Sequence, residues 1–285
     1  MADNRETLDI EGLLRFYAEA GIDMPLSETP IDRFAEPQRP ASSQPTAQMP
    51  NSPERARQQQ PRPAPAPAPT SKPVQAAADL PDTAQIALAR EAAAQASTLE
   101  ELREKLAAFD GCNLKFTAKN LCFADGDPSS DIMFIGEAPG RDEDMEGLPF
   151  VGKSGQLLNR MIESIGLKRE SVYIANTIPW RPPGNRTPTP LETELCRPFI
   201  ERQIELASPK VLVALGGPAG KALTGATEGI LRLRGNWKIH RTPNGLEIPV
   251  MPTLHPAYLL RTPAQKRFAW RDFLAVKLKL AELMS

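Results

Sequence analysis

The sequence predicts an α/β protein: three α/β/α layers around a central four-stranded, mainly parallel sheet. Short apolar runs of strand length alternate along the chain with amphipathic, helix-length segments, which is the pattern of a parallel sheet covered on both faces. The first run, Asp131-Ile-Met-Phe-Ile135, reads as a buried strand. The 30 prolines are also unevenly spread, with eleven of them between Pro37 and Pro73. Outside that stretch the chain holds ample Leu, Ile, Val and Ala for a core.

Taken in order, residues 4–21 place Leu8, Ile10, Leu13, Leu14, Phe16, Tyr17 and Ala20 at spacings that fit a short amphipathic helix ended by Gly21. The Pro/Ala/Gln-rich stretch 36–75 cannot bury enough apolar surface to fold, and Pro61 to Pro69 favours extended polyproline conformations. Three parts are therefore expected: an amphipathic helix within 1–35, a disordered linker at 36–80, and a folded domain at 81–285. A helix this short is marginal alone. It docks on the folded domain or on a protein partner, and the sequence leaves both open.

From Asp82 onward the elements become regular. Helices are expected at 83–95 and 98–108, with capping-box spacing at Ser97-Thr-Leu-Glu100. The strand at 131–135 precedes a helix at 154–165 stopped by Gly166. A second strand spans 172–176, and a helix at 190–207 opens on Pro190. The third strand, 210–215, leads through Gly216-Gly217 into a helix at 218–224. The fourth, 247–252, runs into Thr253 to Leu260, and a last helix spans 263–283.

Composition excludes several classes. A net charge of −1 argues neither for nor against nucleic acid, because patches matter more than totals. No apolar run approaches a membrane span, and the acidic N-terminus lacks a signal-type stretch, so a cytoplasmic protein is expected. Three cysteines, Cys112, Cys122 and Cys196, are too few for a disulfide framework or an all-cysteine metal site.

The strand ends carry the chemistry. The first strand runs into Gly136-Glu-Ala-Pro-Gly140, followed by Asp142, Glu143, Asp144 and an exposed-looking Phe150. Carboxylates beside an aromatic at a strand end can hold a flat ring and help break a bond to it; an acidic surface loop is the plain alternative. The second strand ends in Asn176, and the fourth leads to His255. In a parallel sheet Glu137, Asn176 and His255 converge on one rim. Singly, Asn176 also reads as a turn residue and His255 as a core histidine.

These residues match a known family. The chain resembles the uracil-DNA glycosylases, specifically the bacterial and archaeal group called family 4, over residues 105–280. The matching stretches are Gly136-Glu-Ala-Pro-Gly140 with Glu143-Asp144, Pro149-Phe-Val-Gly152 with Gly155-Gln-Leu-Leu158, and Asn176. They continue through Arg181-Pro-Pro-Gly-Asn-Arg-Thr-Pro188, Cys196-Arg-Pro-Phe199 and His255-Pro-Ala-Tyr-Leu-Leu-Arg261. The resemblance implies a glycosylase-like fold, a catalytic domain at 81–285 and uracil-containing DNA as substrate, in a bacterial nucleoid-associated monomer.

It also implies residue roles. Phe150 stacks on the flipped uracil beside Gly136, and Asn176 reads the base edge. His255 donates to the developing O2 anion, while Glu137 and Glu143 orient water or offset the sugar cation. Ala138 stands where some other uracil glycosylases carry a water-activating Asp. Tyr258, Leu259, Leu260 and Arg261 form a loop entering the minor groove, with Leu259 or Leu260 filling the vacated gap. Arg181, Asn185 and Arg186 contact backbone. Between Arg232 and Arg271 eight Lys/Arg stand against one acid, Glu247, a set suited to phosphates or to a solvated basic face.

The family carries a 4Fe–4S cluster on four cysteines. Here Cys112 and Cys196 stand at two of those positions, while Phe109 and Trp180 replace the others; Cys122 matches no ligand. No cofactor is expected, and the two large side chains are expected to fill the vacated volume. Lys238-Ile-His240 superficially resembles the loop by which a relative captures DNA covalently, but it falls after the third strand, so His240 is read as a surface residue. The competing expectations are a non-catalytic DNA-binding relative and an enzyme acting on free nucleosides.

Overall fold

The computed structural model of the chain describes residues 82–284. The expected helix within 1–35 and the linker at 36–80 lie outside the described residues.

Six strands form one sheet, two more than the sequence predicts. They are β1 (Asp125–Gly126), β2 (Ile132–Gly136), β3 (Tyr173–Asn176), β4 (Val211–Leu215), β5 (Lys238–Arg241) and β6 (Glu247–Thr253), in the spatial order β1-β3-β2-β4-β6-β5. The central four, β3, β2, β4 and β6, are parallel, as expected from their alternation with helices. β1 and β5 are antiparallel edges. β1 has two residues and β5 mixes charge with apolar residues, so neither offers the apolar run that marks a central strand.

Alternating side chains leave the sheet on opposite faces. Ile132, Phe134, Val213, Leu215 and Met251 pack with Leu158 and Ile162 of α5 (Lys153–Ser164) and Phe273 and Val276 of α10 (Lys266–Met284). Met133, Ile135, Leu212, Ala214 and Val250 pack with Ile200 and Ile204 of α6 (Pro190–Ala207) and Ala219 and Leu223 of α7 (Gly217–Thr224). Helices on both faces give the three layers.

A third cluster lies beside the sheet. It joins Ala89 and Ala93 of α1 (Asp82–Ala94), Leu102 and Leu106 of α2 (Leu99–Ala108), Leu195, Cys196 and Phe199 of α6, and Cys112 and Trp180. The N-cap of α2 is Thr98, one residue beyond the start of the expected box: its Oγ1 accepts from Glu101 N–H at 3.1 Å, and the Glu101 carboxylate accepts from Ser97 N–H and Oγ. At α6, Thr189 and Glu192 form a reciprocal capping box ahead of Pro190.

Three short helices escaped the sequence reading: α3 (Leu114–Thr117), α4 (Arg141–Glu146) and α8 (Ile230–Leu233). The segment read as a minor-groove loop is also helical; it belongs to α9 (Pro256–Arg261), which His255 caps. Among the described residues no helix is long and apolar enough to cross a membrane.

Candidate active site

The carboxyl ends of β2, β3 and β6 open on a cleft of about 450 Å³. Glu137, Phe150, Asn176 and His255 all border it, together with Glu143, Asn185, Arg186, Tyr258 and Arg261. Parallel pairing sets Gly136 directly opposite Asn176. A Cβ at Gly136 would lie 2.4 Å from Asn176 Oδ1 and 2.5 Å from Phe150 Cζ, so only glycine lets both side chains close over the strand end.

Phe150 is 5% exposed, not the exposed aromatic that its turn suggests. Its ring stacks on the His255 imidazole, with centroids 5.5 Å apart and planes at 30°. Its backbone is left-handed, with φ 55°, a conformation a bulky residue rarely adopts. Gly155 makes room behind it, since a Cβ there would sit 1.7 Å from the Phe150 carbonyl oxygen.

Asn176 is 5% exposed, and its Oδ1 is buried with no hydrogen-bond partner. Buried polar atoms are nearly always satisfied, so an orphaned acceptor on a cleft wall is one waiting for a donor. His255 Nδ1 accepts from Ala257 N–H at 3.1 Å, which leaves the ring proton on Nε2. Burial, and then the nearby Arg261 guanidinium, push this imidazole down to about 4, so it is neutral at physiological pH. Glu137 is moved the other way, its carboxyl raised above the ordinary range by burial.

Glu143 does not stand beside Glu137 as a second free carboxylate. Its oxygens accept from Gly140 N–H at 3.1 Å, Val151 N–H at 3.1 Å and Gly152 N–H at 3.0 Å. It braces the turn before α4 against the loop that bears Phe150. Three backbone donors on its carboxylate give Glu143 a positioning role in the loop.

On α9, Leu259 is 1% exposed and packs with Leu254 and Ala269, whereas Leu260 is 43% exposed. Leu259 therefore drops out as a wedge. In the loop between β3 and α6, Arg181 Nε donates to Asn185 Oδ1 at 2.7 Å, and Arg186 forms a two-pronged pair with Glu192 at 2.6 and 2.9 Å. The eight-cation stretch does not form one surface. Arg234 pairs with the buried Asp272 and Arg241 with Glu247, and of the eight it is Arg261 that borders the cleft. His240 is buried at 4% with Nδ1 2.9 Å from Leu223 O, so the surface reading of it is overturned.

Sequence reasoning missed Ser154, which borders the cleft, and Arg169, which grips the Phe150 loop from behind. Nothing in the spacing of Arg169 marks it, since its partners lie 10 to 44 residues away.

The model of the uracil DNA glycosylase superfamily matches residues 123–279. The chain belongs to that superfamily. It is 38% identical over 188 residues to the type-4 uracil-DNA glycosylase of Sulfurisphaera tokodaii, covering 63% of this chain and 84% of that protein. It is 38% identical to the Archaeoglobus fulgidus type-4 enzyme (62% of this chain, 90% of that protein) and 40% to that of Thermotoga maritima (57% and 83%).

Within this superfamily the iron–sulfur cluster implied by the family 4 resemblance needs four thiolates. Cys112 and Cys196 are buried, and the Cys196 thiol is held above its ordinary range by the neighbouring Cys112 and by burial. The other two positions hold Phe109, whose ring lies 5.3 Å from that of Phe199, and Trp180, 2% exposed. Cys122 donates instead to Glu143 O at 3.1 Å. Two thiols and two large apolar side chains do not make the donor set of a 4Fe–4S cluster. Among the described residues no group of three or more His, Cys, Asp and Glu side chains is placed to hold a metal ion.

Proposed function

We propose that this protein is a uracil-DNA glycosylase that hydrolyses the N-glycosidic bond of deoxyuridine in DNA and so opens base excision repair. One observation carries the reading: an aromatic face, an orphaned amide oxygen and a neutral imidazole N–H border a single cleft at the carboxyl edge of the sheet.

The target base must leave the duplex, because its glycosidic bond is unreachable inside the stack. The flipped uracil lies against Phe150. Asn176 Oδ1 accepts from uracil N3–H, and the amide NH₂ donates to O4. Cytosine presents an acceptor and a donor at those two atoms, so both contacts are mismatched and left unpaired in a buried site. As the C1′–N1 bond breaks, its electron pair passes into the ring and charge builds on O2. The His255 Nε2–H donates to that oxygen, a preorganised dipole aimed where charge develops.

Water bonds to C1′, and its proton passes to Glu137, the carboxylate whose affinity for protons burial has raised. Glu143 holds the loop, and Gly136 provides the space. Leu260, flanked by Tyr258 and Arg261, fills the gap left by the base. Arg181, Asn185 and Arg186 contact the strand backbone. The reading includes a monomer working on DNA in the cytoplasm, and residues 1–35 as the segment that meets a protein partner.

The test is direct. Single- and double-stranded oligonucleotides carrying one uracil are incubated with the protein, and abasic sites are then cleaved with alkali. Scission at the uracil supports the reading; none on either substrate overturns it. Activity on free deoxyuridine alone would move the protein to nucleoside hydrolysis.

A further inference from the structure

The loop that presents Phe150 is held from behind by one side chain. Arg169 Nη2 donates to Pro149 O at 2.7 Å and Nη1 to Phe150 O at 2.9 Å. The same guanidinium reaches Asn159 Oδ1 at 2.8 Å and Asp125 Oδ2 through Nε at 2.7 Å, so partners on β1 and α5 fix its plane. The Phe150 carbonyl is thus caught between Nη1 and the bare face of Gly155. That carbonyl belongs to the residue whose φ of 55° is costly for an aromatic side chain. A planar fork with several fixed donors suits this task; a lysine ammonium, a point charge, cannot span the same set.

We propose that Arg169 is the positioning residue of the base-stacking face: by clamping the carbonyls of Pro149 and Phe150 it keeps Phe150 left-handed, with its ring against His255. The proposal rests on the glycosylase reading for its consequence, but its geometric content stands apart from it. Without the clamp, the peptide relaxes out of the left-handed region and the ring no longer faces the base.

The variants are Arg169→Gln and Arg169→Lys, the second retaining a cation beside Asp125 in case the first does not fold. A misplacement of about 1 Å in a reacting site typically costs about 100-fold, so kcat/KM on uracil-containing single strands is expected to fall about 10- to 100-fold. Inhibition by free uracil should weaken comparably in both variants, while affinity for a uracil-free duplex stays unchanged, because the clamp touches the base face and not the DNA surface. A merely structural tie would lower both affinities together in step with Tm, and that outcome overturns the proposal, as would unchanged activity and uracil inhibition. A crystal structure of Arg169→Gln separates this inference from the functional reading. If wild-type protein releases no uracil, the function falls, yet Phe150 leaving positive φ still upholds the clamp and Phe150 keeping it still refutes it.

Discussion

At His255 the neutral state is set by burial and by Arg261, which hold the imidazole at about 4, well below its ordinary 6.5. The unfolded chain takes up a proton there as pH falls through the ordinary value, while the native protein does not. The stability this provides is full above the unfolded pKa and is lost on acidification toward the folded one. Turnover should therefore not sense His255 ionisation across neutral pH. Glu137 is shifted oppositely, so it protonates first and, on the glycosylase reading, is expected to set the acid limb of kcat. Substituting Glu137→Gln should lower kcat by about 100- to 10,000-fold and flatten that limb, as a lost general base does; a limb surviving in the variant would reassign it. Asn176→Asp removes the donor to O4 and should cost at least about 100-fold in uracil excision, measured as single-turnover rate on the same oligonucleotides. Residue identities at the rim were legible because Glu137, Asn176 and His255 sit at the ends of apolar runs. Their burial was not. His240 was misjudged, and the bracing of Glu143 and packing of Leu259 were not legible, because only three-dimensional neighbours show that a histidine is enclosed, a carboxylate braced or a leucine packed.

The four parallel strands and the long helices were readable because each is an apolar run or stripe of the right length between glycines or prolines. The edge strands β1 and β5 and the four-to-six-residue helices were not, since pairing with a neighbour or one cap creates them and neither leaves a period in the sequence. At this scale the apolar cluster joining α1, α2 and α6 holds Cys112, Cys196 and Trp180 together, with Phe109 packed against it. Trp180 is buried within it, and Trp180→Ala should destabilise the fold by about 3–5 kcal/mol, read from denaturant midpoints. The double substitution Phe109→Cys with Trp180→Cys would complete a four-cysteine set with Cys112 and Cys196. Anaerobic reconstitution of that variant should yield iron, sulfide and brown charge-transfer absorbance, with none from the parent; equal iron in both would show that the parent binds a cluster through other ligands.

For the molecule as a whole, charge is distributed by use. Arg234 is committed to a buried ion pair and Arg241 to an exposed one, so two of the eight cations of the sequence stretch are already paired. If Arg261, Lys266, Arg267 and Arg271 each neutralise one phosphate, the slope of log K against log salt should be about −3 to −4 for duplex DNA. A slope near zero would place the DNA elsewhere. The orphaned Asn176 oxygen bears on the molecule as well as the site. An unsatisfied buried acceptor costs about 1–3 kcal/mol, and no group of the protein offsets that cost at Asn176 Oδ1. The apolar, similarly sized Asn176→Leu should consequently raise Tm, by about 2–4 °C for each kcal/mol recovered in a domain of this size, while abolishing excision. Under the glycosylase reading, the acceptor that makes the fold slightly less durable is the one that would select uracil when it arrives.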